Sequence, residues 1–277
     1  MRVGFLTTGG VTDRYILQEV RRVFPPVVVV RPVSSPPAPQ PRAARLLRWG
    51  RAPVASLSAK LASRAREARM VRREAAAQEA LFGGPPPELG ARTVAKNRLN
   101  GPEHAAELRA LALDVLVVAG APLLKPAIFE VPRLGTVNLH YGIAPAYRGE
   151  DTLFWAMYEG RYDRLGVTLH TIAAGVDSGA ILAQGFLGRR GGETEEQLWV
   201  AAARVGARLV VEYLQECARR IEANPKAPVR PAGRPQEAGG RQYFARERRP
   251  WHDAALRLRT QLHPLPAAEE RLERFFG

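Results

Sequence analysis

Residues 2–30 read RVGFLTTGGVTDRYILQEVRRVFPPVVVV, and this stretch predicts a strand, a helix and a second strand in succession. Residues 2–8 are a short apolar run that ends at two glycines, and residues 13–24 place apolar side chains at helical spacing. A proline pair ends that helix. The run from Val27 to Val30 is continuous and β-branched, which is typical of a strand covered on both faces. A start of this kind predicts a doubly wound α/β fold with a mostly parallel sheet.

The same succession of strands and helices continues in the second half of the chain. The apolar run at 114–119 predicts a central strand, and residues 193–223 predict a long amphipathic helix that begins with a Thr194 cap and acidic residues in its first turn. Further strands are expected at about 135–139, 166–173 and 180–187, and further helices at about 102–112, 151–159 and 264–276.

Residues 33–90 interrupt this pattern. Four prolines between positions 36 and 41 predict an extended segment, and the Ala- and Arg-rich residues 54–82 predict a helix. Between Arg42 and Arg73 there are ten basic residues and one acidic residue, Glu67. These charges indicate either a solvated helix face or a surface that binds an anionic substrate or partner. We expect one main domain over residues 1–223, with residues 33–90 as a basic helical insertion, and a short C-terminal extension over residues 224–277.

The composition is that of an ordinary globular protein with a strong excess of positive charge. Of the 277 residues 46% are hydrophobic, and no apolar run approaches the roughly 20 residues that span a bilayer. The first residues lead directly into a strand without the pattern of a signal peptide, so we expect a cytoplasmic protein with no membrane partner. Cys217 is the only cysteine, which excludes an internal disulfide and a cysteine-based zinc site.

The formal net charge of +14 comes almost entirely from arginine. It indicates polyanionic partners such as nucleic acid, or a compositional bias.

The polar side chains that indicate chemistry lie in residues 135–184. Asn138 and His140 stand two positions apart at the carboxyl end of a predicted strand, so their side chains share one face. That edge of an open parallel sheet is where α/β proteins bind ligands. Asp177 follows in a glycine-containing loop between two predicted strands. An amide, an imidazole and a carboxylate together suit acyl transfer, because the first two stabilise an oxyanion and the third directs protons. Taken singly, a buried histidine is more often structural, and an aspartate beside glycines more often forms a turn.

An ordered set of short motifs in this stretch favours the catalytic interpretation of these residues over the structural one. The motifs are Asn138-Leu139-His140, Gly142-Ile143-Ala144-Pro145, Tyr147-Arg148-Gly149, Trp155-Ala156, Gly166-Val167-Thr168-Leu169-His170, Asp177-Ser178-Gly179 and Gln184. In order and spacing they resemble the signature of the formyltetrahydrofolate-dependent formyltransferases, a family that includes glycinamide ribonucleotide, methionyl-tRNA and sugar-nucleotide N-formyltransferases. Two positions depart from the signature, since Gly142 stands where the family has serine and Ala144 where it has leucine.

The resemblance implies a Rossmann-like formyltransferase fold, with residues 1–223 as the catalytic domain of a one-carbon transferase. In that family an acceptor amine attacks the formyl carbon of 10-formyltetrahydrofolate, and no metal takes part. The resemblance implies that Asn138 donates to the developing oxyanion, that a protonated His140 assists, and that Asp177 orients His140 and relays the proton. It implies a pteridine slot formed by Gly120, Leu123, Leu124, Ala174, Val176 and Asp177. It also puts Tyr147, Arg148 and His170 at the substrate or behind the catalytic groups. Core packing is the alternative for the two leucines and for His170.

The residues leave the acceptor open. About 55 residues follow the long predicted helix, which are too few for the C-terminal β-barrel of methionyl-tRNA formyltransferases. We therefore expect a small-molecule amine, for example an amino-sugar nucleotide whose phosphates bind the basic insertion. A tRNA-linked amine is the next candidate. Hydrolysis of formyltetrahydrofolate is less favoured, because that enzyme typically carries a regulatory domain in front of the catalytic part. A non-enzymatic nucleic-acid-binding protein would account for the charge but not for the motif spacing.

Overall fold

An eight-stranded, mostly parallel sheet forms the centre of the protein in its computed structural model, which describes residues 1–34, 53–237 and 239–276. Its strands are β1 (Val3–Thr7), β2 (Val28–Val33), β3 (Arg92–Ala95), β4 (Val115–Ala119), β5 (Thr136–His140), β7 (Gly166–Thr171), β8 (Ile181–Phe186) and β10 (Arg271–Arg274). Two further strands, β6 (Tyr147–Gly149) and β9 (Arg241–Tyr243), pair with each other.

The strand order in the large sheet is β10-β8-β7-β5-β4-β1-β2-β3. Strands β1 to β5 pair in parallel, and β7, β8 and β10 add three antiparallel pairings at one edge. The prediction of a doubly wound, mostly parallel α/β sheet is therefore confirmed. The extended segment predicted near residues 36–41 lies outside the described residues.

Helices cover both faces of this sheet. Alternate side chains of the central strands face opposite sides. Phe5 of β1 and Val117 of β4 pack in one core with the helices Val11–Val23 and Glu195–Ala223. Leu6 and Leu116 belong to a second core on the other face. Strands buried on both faces must be apolar throughout, which explains the continuous β-branched runs. The helices in the described residues are α1 (Val11–Val23), α2 (Pro53–Phe82), α3 (Pro102–Ala110), α4 (Pro126–Phe129), α5 (Thr152–Tyr158), α6 (Glu195–Ala223) and α7 (Pro250–Leu262). Nowhere in these described residues is a helix long and apolar enough to cross a membrane.

The prediction of a helix at 264–276 is wrong. The helix of this region is α7, which ends at Leu262, and Arg271–Arg274 form β10, which pairs antiparallel with β8. Prolines at 264 and 266 prevent α7 from continuing. The half-buried Leu272 packs beside Gly185 of β8, so pairing at the sheet edge determines this conformation. The sequence does not indicate β3, β6 and β9 either, because strands of three or four residues carry no measurable periodicity.

Four of the five arginines of α2 pair with carboxylates of the same chain. Arg248, from the C-terminal extension, joins the same network, and its side chain is only 2% exposed where it pairs with Glu195. Buried charges of this kind are tolerated only while they are paired. In the described residues, the basic insertion is therefore held against the rest of the domain by ion pairs. The pairs made by α2 are Arg66–Glu150, Arg69–Asp253, Arg72–Glu196, Arg73–Asp151 and Arg73–Glu195.

Candidate active site

Strand β5 and its neighbour β7 bring three polar side chains together at the edge of the sheet. Asn138 and His140 stand two positions apart on β5, and both line the same cleft. The antiparallel register pairs Asn138 with His170 of β7, and Nδ2 of Asn138 lies 3.1 Å from Nε2 of His170. His140 is 6% exposed, and its Nε2 lies 2.8 Å from the carbonyl oxygen of Tyr147. The strand pairing therefore sets the Asn138 amide beside the His170 imidazole, and His140 lines the same cleft.

The carboxylate of Asp177 reaches these groups from the loop between β7 and β8. Its Oδ2 accepts the backbone N–H of Gly149 at 2.8 Å and lies 3.4 Å from Nδ1 of His140. Its Oδ1 lies 3.3 Å from Nδ2 of Asn138 and 3.3 Å from Nε2 of His170. Asp177 has a φ of 48°, a left-handed conformation that aspartate and asparagine adopt more readily than most residues. We call Asn138, His140, His170 and Asp177 the polar cluster.

The partners of the two imidazoles determine where their protons lie. Nε2 of His140 and Nδ1 of His170 each face a backbone carbonyl, which can only accept, so each of these nitrogens donates. Nε2 of His170 lies between the Asn138 amide and Oδ1 of Asp177, so it accepts from the amide when it carries no proton and donates to the carboxylate when it carries one. Nδ1 of His140 faces Asp177, so a proton at that position is shared between an imidazole and a carboxylate. This pair can take up or release one proton inside the cluster.

Burial and mutual charge act on this pair in opposite directions. Burial lowers the pKa of His140, and the negative charge of Asp177 only partly opposes that effect. Burial by itself would raise the pKa of Asp177, but His140, His170 and the N–H of Gly149 hold this pKa well below its usual range. The protonated His140 that the family resemblance implies therefore depends on the ionised carboxylate beside it.

The polar cluster opens onto a cleft of about 750 Å³. Further parts of its wall come from the turn after β1, from α2, and from Tyr141 and Trp199, whose rings stack with 4.5 Å between centroids. The guanidinium carbon of Arg73 lies 4.6 Å from the centre of the Trp199 ring. A concave site of this volume suits a small organic ligand. No group of three or more His, Cys, Asp and Glu side chains in the part of the chain that the structure describes is arranged to hold a metal ion.

Gly142, one of the two departures from the family signature, lies where no side chain fits. A Cβ at this position would stand 2.6 Å from Nε2 of His140 and 2.7 Å from Oγ1 of Thr152. Both distances are shorter than ordinary contacts between such atoms. The Thr152 hydroxyl donates to the carbonyl of Tyr141 and so fills the adjacent space. The glycine is therefore matched to the packing around His140.

Two carboxylates lie in the same cleft near the beginning of α1. Asp13 is 7% exposed and accepts hydrogen bonds from the hydroxyls of Thr7 at 2.9 Å and Thr8 at 3.2 Å. Glu74 of α2 accepts the N–H of Val11 at 2.9 Å, so a carboxylate already occupies the positive end of α1. Burial raises the pKa of Asp13 to about 7, and the charge of Glu74 adds to this effect against the threonine hydrogen bonds.

The shifted pKa of Asp13 predicts a pH-dependent difference in stability. Because the pKa is raised in the folded protein, the stability that neutral Asp13 contributes is complete below its unfolded value of 3.8 and is lost as the pH rises through about 7. Asp13→Asn removes this dependence, since the amide stays neutral and its oxygen still accepts from Thr7. We expect the melting temperature of the variant, relative to wild type, to rise between about pH 4 and about pH 8. A constant difference over this range would show that Asp13 ionises normally.

Asp13, Glu74 and Trp199 line the cleft although they are not among the residues predicted from the sequence. Asp13 follows the Gly9-Gly10 turn at the carboxyl end of β1, and that position is a signal, because ligands bind at this edge of a parallel sheet. Glu74 and Trp199 belong to α2 and α6, and their local sequence carries no comparable signal.

The structure separates the residues predicted to bind the pteridine. Gly120, Val176 and Asp177 line the cleft. Leu124 is buried in the core formed with α3 and α4, Leu123 is 64% exposed, and Ala174 is exposed in the loop before Asp177. Three of the six predicted residues thus line the cleft, and Leu123, Leu124 and Ala174 do not.

Two of the three residues predicted near the substrate contact the C-terminal extension. Tyr147 stacks on Tyr243, with 5.6 Å between the ring centroids, and Arg148 donates to the carbonyl of Gly240 at 3.2 Å. His170, by contrast, is 2% exposed and belongs to the polar cluster. The extension thus packs directly against a segment of the family signature.

Comparison with known proteins relates this geometry to one family. The family model described as "Formyl transferase" matches residues 51–214. A methionyl-tRNA formyltransferase of Synechococcus sp. (strain JA-3-3Ab) is 42% identical over 114 residues, which are 41% of this chain and 35% of that protein. A methionyl-tRNA formyltransferase of Cyanothece sp. (strain PCC 7425 / ATCC 29141) is 34% identical over 163 residues, which are 57% of this chain and 46% of that protein.

A solved structure shares the fold. The X-ray structure of a sugar N-formyltransferase from Shewanella sp FDAARGOS_354 matches with a TM-score of 0.54, at 13% identity, over 89% of this chain and 78% of that chain. At this identity the likeness concerns the fold alone. The chain spans between about a third and a half of the length of the two methionyl-tRNA formyltransferases that it matches.

Proposed function

The chain belongs to the formyl transferase family, and from this membership we propose that it transfers a formyl group from 10-formyltetrahydrofolate to a primary amine. The polar cluster is the observation that carries the proposal. The carboxylate of Asp177 lies within 3.4 Å of the amide and of both imidazoles, and Asn138, His140 and Asp177 line one cleft. Acyl transfer needs this combination, because it creates an oxyanion and moves a proton in the same place.

In the proposed reaction the amine nitrogen attacks the formyl carbon, and a tetrahedral oxyanion forms. The Asn138 amide donates to this oxyanion in exchange for its present contacts with Asp177 and His170. A proton at Nδ1 of His140 adds positive charge beside it. As the new N–C bond is completed, Asp177 accepts the proton of the attacking amine, directly or through water. The carbon–nitrogen bond of the donor breaks, and the proton passes to the departing folate nitrogen.

The wall of the cleft suggests where the two substrates bind. We assign the donor to the part of the cleft formed by Val176 and Asp177. That assignment leaves the turn after β1 for the acceptor. There Asp13 and Glu74 suit a cationic amine and neighbouring hydroxyl groups, because a carboxylate accepts hydrogen bonds from both. Arg31, in the same wall, suits a phosphate.

A small-molecule amine, for example an amino-sugar nucleotide, is therefore the acceptor we propose. An amine carried by tRNA is the second candidate, and the methionyl-tRNA formyltransferases among the relatives favour it. A formyl-transfer assay over amino-sugar nucleotides, amino acids and aminoacyl-tRNA distinguishes these acceptors. Release of formate at the same rate with and without any acceptor would identify a hydrolase instead, and no consumption of the donor would refute the proposed activity.

Donor binding has a prediction of its own that needs no acceptor. Since a ligand that binds only the folded state stabilises it, a non-reactive folate analogue at about a hundred times its Kd should add about 2.7 kcal/mol to the free energy of unfolding. We expect the melting temperature to rise with the logarithm of the analogue concentration in differential scanning fluorimetry. An unchanged melting temperature at millimolar analogue would contradict a folate site in the cleft.

A further inference from the structure

The C-terminal extension holds the loop of Asp177 through one side chain. The amide Nε2 of Gln236 donates to the carbonyl oxygen of Asp177 at 2.8 Å and to that of Gly179 at 2.6 Å. Two carbonyl acceptors require the NH₂ end of the amide at this position, so the orientation of Gln236 follows from its partners. The two hydrogen bonds restrain the backbone from which the carboxylate of Asp177 projects.

The backbone next to Gln236 is itself anchored to the sheet. Arg234 and Ile181, the first residue of β8, exchange two backbone hydrogen bonds of 2.7 Å each. Gln236 therefore stands two residues from a fixed point, beside the loop that it holds. A side chain anchored in this way can define the position of its partner, since little of its own freedom remains.

The extension also holds the group that binds the carboxylate from the other side. Strand β9 lies parallel to β6 with Tyr243 opposite Gly149, and the N–H of Glu150 donates to the carbonyl of Tyr243 at 2.9 Å. Only glycine fits at position 149, because a Cβ would collide with that carbonyl oxygen. The N–H of Gly149 is the donor to Oδ2 of Asp177, at 2.8 Å. The loop of Asp177 and the end of β6 are thus both fastened to the C-terminal extension, the first through Gln236 and the second through Tyr243.

We propose that Gln236 is a positioning residue for formyl transfer, which sets the carboxylate of Asp177 at its working distances from His140 and Asn138. The catalytic consequence rests on the proposed function, whereas the hold on the loop rests on the hydrogen bonds alone. The C-terminal extension then completes the active site, in addition to adding an edge strand to the sheet.

The variant Gln236→Met tests this role, because it keeps the length of the side chain and removes both donors. We expect kcat to fall about ten- to hundredfold, because the Asp177 carboxylate shifts from its position. KM for each substrate should change no more than about threefold, because the other residues that line the cleft keep their positions. Gln242→Met, in β9 of the same extension, is the matched control and should keep kcat within about twofold of wild type. A kcat of Gln236→Met within that same range would overturn the proposal.

Amide hydrogen exchange tests the hold on the loop without catalysis. In Gln236→Met the N–H of Gly149 should lose its acceptor and exchange at least about tenfold faster, while the N–H of Glu150, bonded to Tyr243, keeps its protection. Unchanged protection at Gly149 would overturn the proposal. Loss of protection at both amides would also overturn it, because the whole extension would then have detached.

The same measurements also decide two other cases, a variant that does not fold and a wild type that transfers no formyl group. If Gln236→Met does not fold, Gln236→Glu takes its place, because it has the same shape and presents acceptor oxygens to the two carbonyls; it should reproduce the loss in kcat and the faster exchange. If wild type transfers no formyl group to any acceptor, the proposed function fails. The exchange of Gly149 then decides by itself whether Gln236 holds Asp177.

Discussion

Asp177→Asn should lower the rate of formyl transfer about a thousandfold or more at neutral pH, the largest loss we expect from one substitution in this chain. The two carboxylate oxygens lie within 3.4 Å of His140, Asn138 and His170, and the proposed mechanism gives this carboxylate the proton that leaves the amine. Asparagine has the same shape and adopts a φ of 48° as readily. It cannot accept a proton near neutral pH, so the loss reports on proton transfer and on the charge of His140.

The measurement is a rate at saturating donor and acceptor, so that the chemical step is separated from binding. Asp163→Asn changes a carboxylate whose side chain is 58% exposed, and it should behave as wild type. The pKa of Asp177 lies below its usual range, so its carboxylate stabilises the folded protein above the unfolded pKa, and this stability is lost as the pH falls. The stability deficit of Asp177→Asn should accordingly shrink in acid. Equal turnover of the donor by wild type and Asp177→Asn would refute the mechanism.

Asn138→Ala should lower kcat about a hundred- to a thousandfold, because it removes the donor to the oxyanion. The amide is held between His170 at 3.1 Å and Asp177 at 3.3 Å, so it is oriented before any substrate arrives. An oriented donor acts mainly on the transition state, and KM should therefore change only a few fold. Asn138→Asp, which keeps the shape and places a second negative charge beside Asp177, should lose at least as much activity.

Steady-state kinetics over both substrates check this second prediction. Asn97→Ala, at an exposed position after β3, is the matched control. A raised KM with kcat unchanged would mean that Asn138 binds the substrate in its ground state and has no part in stabilising the oxyanion. Thermal unfolding of each variant shows whether a lower rate comes from loss of the folded state.

The central strands are predictable from sequence because their environment is uniform. β1 and β4 are covered on both faces, so each appears as a nearly continuous apolar segment, and the same holds for residues 28–30 of β2. β10 is different, since its four residues include two arginines and a glutamate and only pairing with β8 makes them a strand. The same holds for β6 and β9, which determine each other. Local sequence preference is enough to predict the central strands, whereas β6, β9 and β10 become strands only through tertiary contacts.

The candidate site divides in the same way. The placement of Asn138 and His140 on one face follows from the two-residue period of a strand, which acts within a single element. Asp13 carries a partial signal in its position after β1. Glu74, Trp199 and Gln236 carry none, because their positions depend on helices and loops that meet only in the folded chain.

By itself the sequence determined the α/β class, the family signature and the residues that meet at the end of β5, since these depend on periodicity and spacing within short segments. Only the tertiary structure decided that four arginines of α2 bind carboxylates of the same chain and that Leu123 and Leu124 do not line the cleft of the polar cluster. It also decided that Gln236 reaches Asp177, 59 positions away. Hydrogen bonds and ion pairs over such separations form only after packing has brought the elements together, and no local pattern encodes that geometry.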